Sequence, residues 1–248
     1  MSDATLGVLA LLFVVVGALY ASVGHAGASG YLAVMALLGV STTLMRPTAL
    51  LVNVCVAAIA CVQFARAGHF RWALFWPFAV AAVPAAFVGG MVSLPPRPMQ
   101  LLIGVVLLLA CLRMAWEALG GRFAARGTRP PPRPVAVACG GALGFVAGLT
   151  GTGGGIFLSP LMLAFRWADA KRTAATSAAF ILANSAAGLG GVSLRGGLSV
   201  PHLALLAACA CAGGVAGSWW GSRRAAPRSL YAALACVLLL ASAKLLLA

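Results

Sequence analysis

The stretch Leu149-Thr150-Gly151-Thr152-Gly153-Gly154-Gly155-Ile156-Phe157-Leu158-Ser159-Pro160 constrains this chain more than any other, because it sets four glycines and two threonines between strongly apolar segments. Apolar runs of about 20 residues, the length that crosses a hydrocarbon core of about 30 Å, recur along the whole sequence. Backbone at that depth must satisfy its own hydrogen bonds, so a glycine run is tolerable only where protein or a water-filled cavity surrounds it. The stretch therefore predicts a break in a membrane helix. A second break, Gly24-His25-Ala26-Gly27-Ala28-Ser29-Gly30-Tyr31, comes earlier, and aligning Gly30 with Gly155 shifts the chain by about half its length. Paired interruptions in corresponding halves point to the binding site of a transporter.

Composition excludes the competing classes. Of 248 residues, 62% are hydrophobic and 8% charged, and the mean hydropathy is +1.04, values foreign to a soluble domain of this size. The net charge of +14 would suit a nucleic-acid partner, but the basic residues stand singly or in pairs between apolar segments, without interleaved aromatics. That distribution is the one expected of loops anchored to anionic lipid, and nucleic acid is rejected as a partner. The seven cysteines, Cys55, Cys61, Cys111, Cys139, Cys209, Cys211 and Cys236, fall inside apolar segments with no CxxC spacing, so they are read as small hydrophobes at helix contacts. No metal and no cofactor is expected.

Ten apolar segments follow in order: Thr5 to Val23, Tyr31 to Leu44, Thr48 to Ala65, Trp72 to Ser93, Met99 to Trp116, Val135 to Leu149, Ile156 to Phe165, Thr173 to Gly191, Leu198 to Gly221 and Ser229 to Leu247. The first lacks a basic region before it and is read as a retained helix. The second and seventh are short for a crossing and are read as half-helices or tilted short helices. Arg46-Pro47 is expected to open the third, since proline suits a first helical turn. Trp72 and Trp76 take interfacial positions. Gly120 to Pro134, with Arg122, Arg126, Arg129 and Arg133, divides the halves, giving a first membrane repeat at 1–118, a basic linker at 119–134 and a second repeat at 135–248. The pattern of break, short segment, basic residue (Arg46 or Lys171), span, turn, span, basic turn and span occurs twice, and an odd number of crossings per repeat inverts the second copy. The expected fold is an all-α polytopic membrane protein of two inverted five-segment repeats with helices interrupted at the glycine-rich breaks.

With both termini outside, Arg66, Arg71, the linker arginines, Lys171 with Arg172 and Arg223 with Arg224 are cytoplasmic, which leaves Arg46, Arg97, Arg195 and Lys244 on the outer side. Gly140, Gly144 and Gly148, and again Gly213, Gly217 and Gly221, recur at every fourth position, a spacing that lets helices approach closely in lipid.

The chemistry is expected at the breaks. Where the chain re-enters helix at Gly30 and Gly155, backbone N–H groups lack partners and a partial positive charge faces the cavity. Together with Gly27, Gly151, Gly153, Gly154 and the hydroxyls of Ser29, Thr150 and Thr152, these ends form a candidate oxyanion site near the midplane. His25 adds an imidazole that meets an anion, carries a proton or bonds the loop backbone. Asn53, Gln63, Asn184 and Ser185 should face the interior, lining a cavity or bonding a neighbouring helix. A nucleotide loop is discarded, because no lysine follows Gly155 and no strand pattern precedes the run. Asp3, Glu117 and Asp169 all lie outside span interiors, which disfavours an acid-based cation site and leaves no acid–base pair for an enzyme.

Gly-Thr-Gly-Gly-Gly-Ile-Phe-Leu-Ser-Pro-Leu in the second half, with Gly-His-Ala-Gly-Ala-Ser-Gly in the first, resembles the sulfite exporter TauE/SafE (TSUP) family over nearly the whole chain. His25 and Ser29 stand where that family usually has small residues. The resemblance implies a multi-pass permease of the bacterial inner membrane for sulfite, a sulfonate or another small organosulfur anion, working by alternating access. Its partners would be that anion and membrane lipid, with a homodimer left open. A non-transporting membrane scaffold and a cation carrier are the alternative functions.

Overall fold

The computed structural model describes residues 3–119, 128–194, 202–224 and 228–247. Those residues contain ten α-helices and no strand: α1 (Asp3–Ala21), α2 (Ala28–Leu37), α3 (Thr42–Arg66), α4 (Trp72–Met91), α5 (Pro96–Ala118), α6 (Arg133–Thr150), α7 (Gly155–Ala164), α8 (Ala170–Ser193), α9 (Leu203–Arg223) and α10 (Arg228–Leu247). Seven of them are long and apolar enough to cross a membrane, while α2 and α7 have ten residues each. At 1.5 Å per residue, ten residues reach about 15 Å, half of a hydrocarbon core. Outward-facing positions are occupied by side chains such as Leu11, Val80, Leu112 and Leu240, as lipid contact requires. Trp72 is two-thirds exposed beside Arg71, consistent with an interfacial position.

Two sets of helix contacts resemble each other. Helix α1 lies along α9 as α6 lies along α4, α3 meets α9 as α8 meets α4, and α3 pairs with α8 and α5 with α10. The fourfold-spaced glycines make the first two contacts. A Cβ on Gly140, Gly144 or Gly148 would fall on the carbonyl oxygens of Phe78, Ala82 and Ala86 in α4. Gly213, Gly217 and Gly221 meet Val14, Ala18 and Ser22 of the α1 segment in the same way. Backbone-to-backbone approach of this kind replaces the hydrophobic drive that lipid cannot supply between helices.

The main apolar core joins α1, α2, α3, α5 and α10, with Phe13 and Tyr31 rings 4.6 Å apart at its centre. A second core, around Phe78, Leu158, Met162 and Phe180, packs α4 against α7 and α8.

Three expectations need correction. Helix α2 begins at Ala28, not Gly30, because Gly27 adopts the left-handed φ of +100° that ends the break. Helix α3 begins at Thr42, so Pro47 sits in the second turn instead of opening the helix. Arg46 is buried, not on an outer loop. Gln63, half-buried, takes the second of its two expected roles, donating its amide to Val215 O of the neighbouring α9 at 3.1 Å. Of the expected linker, Arg122 and Arg126 lie outside the described residues and Arg133 already belongs to α6; Arg195 also lies outside them.

Candidate functional site

The second break is a run of left-handed glycines. Gly151 caps α6 at φ +82°, Gly153 stands at +71° and Gly154 caps the start of α7 at +78°. Side-chain-bearing residues rarely adopt these angles, which is why the sequence between two apolar helices is glycine. Thr150 ends α6 by donating to Val146 O at 2.7 Å, and its hydroxyl lies 2.9 Å from that of Thr152. The first N–H groups of α7, from Gly155 onward, and of α2, from Ala28 through Gly30, have no carbonyl four residues back.

The two breaks meet through His25. Its Nε2 lies 3.2 Å from Gly155 O and 3.1 Å from Ser159 Oγ, and Ser159 Oγ lies 2.8 Å from Ser177 Oγ on α8. A carbonyl can only accept, so the bond to Gly155 assigns the Nε2 hydrogen to the ring. His25, Ser159 and Ser177 are all buried. The sequence reading missed Ser159 and Ser177. Ser159 is four residues after Gly155 and hence on the same α7 face, a spacing visible within the glycine motif.

Beneath the same break lies an amide-rich surface on α3 and α8. Asn53 Nδ2 donates to Ser185 Oγ at 3.3 Å. A Cβ on Gly153 would stand 2.8 Å from that nitrogen and 3.0 Å from the Ser185 oxygen. Asn53 Oδ1 and both amide atoms of Asn184 are buried without a hydrogen-bond partner among the described residues. Asn184 is fully buried. The remaining residues of the expected site are placed differently. Ser29 donates to Tyr20 OH at 3.0 Å, Gly27 lies under the Tyr31 ring, and Gly30 packs on Val16 and Tyr20 of α1. All twelve expected residues are buried; Ser29 and Gly30 contact α1, Gly27 packs on Tyr31 of α2, His25 meets Gly155 and Ser159, and Gly153 and Asn53 meet Ser185.

Arg46 holds the region from the side. Its Nε donates to Gly148 O at 3.1 Å, Nη1 to Val92 O at 2.8 Å, and Nη2 to Gly89 O and Gly90 O at 2.8 and 2.6 Å. A cation is stabilised among the carbonyls at helix C-termini, here those of α4 and α6. The Arg46 stem lies against Gly151, and its head lines a pocket of about 350 Å³ with Thr42, Thr43 and Ser93. Lys171, near the start of α8, repeats the device by donating to Gly221 O and Arg224 O at the end of α9. Among the described residues no cluster of His, Cys, Asp or Glu could hold a metal ion.

Comparison with known proteins agrees with this architecture. The family described as Sulfite exporter TauE/SafE matches residues 9–245. A probable membrane transporter protein, y4hK of Sinorhizobium fredii (strain NBRC 101917 / NGR234), is 39% identical over 239 residues, covering 96% of this chain and 97% of that protein. No solved structure matches the chain. With a family match over nearly its full length and a probable membrane transporter protein 39% identical to it, the chain belongs to the sulfite exporter TauE/SafE family.

Proposed function

We propose that this membrane transporter is an alternating-access permease of the bacterial inner membrane for a small anion of the sulfite, sulfonate or organosulfur class. The observation that carries the reading is the junction of the two breaks, where His25 of one reaches Gly155 and Ser159 of the other across 130 and 134 residues. In the proposed arrangement the halves 1–118 and 135–248 are inverted repeats joined by a cytoplasmic linker at 119–134. The matched pairs α1–α9 and α6–α4, and the matched clamps of Arg46 and Lys171, favour this symmetry. Helix-start N–H groups, hydroxyls and amides supply donors suited to an anion. The pocket beside Arg46 would be the approach to the second break from one face.

The other classes fit less well. A scaffold has no use for buried amides without partners, which cost stability. A cation carrier needs acids, and Asp169 instead caps α8, accepting from Arg172 N at 2.9 Å and pairing with the Arg172 guanidinium at 3.3 Å. No catalytic chemistry is assigned.

Uptake of labelled sulfite and sulfonates into proteoliposomes containing the purified chain tests the reading. Saturable flux above that of empty vesicles is expected, and flux equal to theirs would refute it.

A further inference from the structure

Asn184 is the least satisfied polar side chain in the described part of the molecule. It is fully buried on a membrane-length helix, and neither Oδ1 nor Nδ2 has a hydrogen-bond partner. Its neighbours on α8 fix where it faces. Ile181, three residues before it, would meet a Cβ on Gly153 or Gly155, and Gly188, four residues after it, would set its own Cβ 3.2 Å from the Gly148 backbone. Ser177, two turns earlier, bonds Ser159. Residues at these intervals share one helix face, so Asn184 lies in the surface that α8 turns toward the second break. Ser185 beside it accepts from Asn53, whose Oδ1 is also without a partner.

A primary amide offers two N–H donors and a C=O acceptor a short distance apart. An anion bearing only acceptors would engage the N–H side and leave the carbonyl buried and unpaired. An anion with an O–H or N–H beside its negative oxygens satisfies both at once, through two parallel bonds. Exchanging the assignment of amide oxygen and nitrogen leaves the argument unchanged, because both atoms of Asn184 lack partners.

We propose that Asn184 is a specificity-determining residue that pairs through its N–H and C=O together with an anion carrying a hydrogen-bond donor next to its oxyanion, such as a monoprotonated oxyanion or a hydroxy- or amino-substituted sulfonate. This rests on the permease reading and narrows its substrate class. A site with buried polar groups shaped for a donor discriminates against the analogue lacking it, because the analogue leaves those groups unpaired.

The test compares 2-hydroxyethanesulfonate with ethanesulfonate, two stable monoanions differing by one hydroxyl, as labelled substrates of the full chain in proteoliposomes. Half-saturation for 2-hydroxyethanesulfonate is expected at a concentration at least about tenfold lower, the effect of one buried hydrogen bond. In Asn184→Leu that ratio should fall to about one, while thermal stability is kept or raised, since an apolar side chain relieves two unpaired buried groups. A structural role for Asn184 would instead lower stability and leave the ratio alone. Equal half-saturation in the unmodified protein overturns the inference and leaves the permease standing, whereas flux of neither anion, nor of sulfite, defeats the permease and this inference with it.

Discussion

His25 Nε2 and Ser159 Oγ lie 3.1 Å apart although 134 residues separate them, and this contact closes one interrupted helix pair onto the other. It places an imidazole, two serine hydroxyls and the first carbonyl of α7 in a buried cluster at the junction of the two halves. The Nε2–H faces the Gly155 carbonyl, so the ring ties the first break to the start of α7. His25→Ala should therefore lower anion affinity several-fold. Half-saturation of labelled sulfite uptake in proteoliposomes decides it; an unchanged half-saturation would remove His25 from the anion site.

Gly154 carries a φ of +78°, and a Cβ there would stand 3.0 Å from Phe180 and 3.1 Å from Ala147. A β-branched residue in left-handed backbone is strained by on the order of 1–3 kcal/mol, and its methyls would fill the space between break and α8. Gly154→Val should abolish uptake while the protein still inserts and elutes as one monodisperse species. Ser29→Ala and Thr152→Ala should each do less, as one hydrogen bond is worth about 1 kcal/mol. Full activity of Gly154→Val would place the anion elsewhere.

The Arg46 guanidinium binds four carbonyls from two helix ends. Arg46→Met removes the charged donor from all four, leaving Gly89 O with the Val92 N–H, and bonds to a charged donor contribute roughly 1.5–3 kcal/mol each, so a loss on the order of 3 kcal/mol or more is expected. Thermal unfolding in detergent should show a clear fall in midpoint, partly restored in Arg46→Lys, which keeps the charge but not the fork geometry. A midpoint within a degree or two of the parent would contradict the clamp.

Glycines at one helix face differ in what surrounds them. A Cβ on Gly148 falls on the Ala86 carbonyl, whereas one on Gly141 sits 3.5 Å from Ala81 Cβ in ordinary contact. Gly148→Ala should force α4 and α6 apart and cost about 1–3 kcal/mol, as overpacking typically does. Gly141→Ala should be neutral or slightly stabilising, because alanine is the better helix former. Equal midpoints for the two variants would show that the α4–α6 contact tolerates separation.

Orientation follows from charge. The linker arginines Arg122, Arg126, Arg129 and Arg133 have no acid among them and are expected in the cytoplasm. Thr128→Cys on a cysteine-free background should resist an impermeant thiol reagent added to intact cells and react once the membrane is permeabilised. Labelling in intact cells would invert the topology.

The sequence by itself determined the all-helical membrane class and the two glycine breaks that interrupt its helices, since both follow from local chemistry. Apolar length sets a span, and glycine fixes Gly27, Gly151, Gly153 and Gly154 in backbone other residues avoid. The repeated glycines at 140, 144, 148 and 213, 217, 221 were legible for the same reason, because helical spacing alone puts them on one face. Only the tertiary structure decided partners. Arg46 looks like a loop cation until α4 and α6 bring four carbonyls to it, because a helix end's unpaired acceptors are visible only where helices converge. Ser159 and Ser177 look like ordinary small residues until the chain folds together over His25, and the expected interior position of Ser185 acquires its partner only where α3 brings Asn53 to it. The amide of Asn184 acquires meaning in the same way: only tertiary packing decides whether a polar group within a span meets a partner or a binding site.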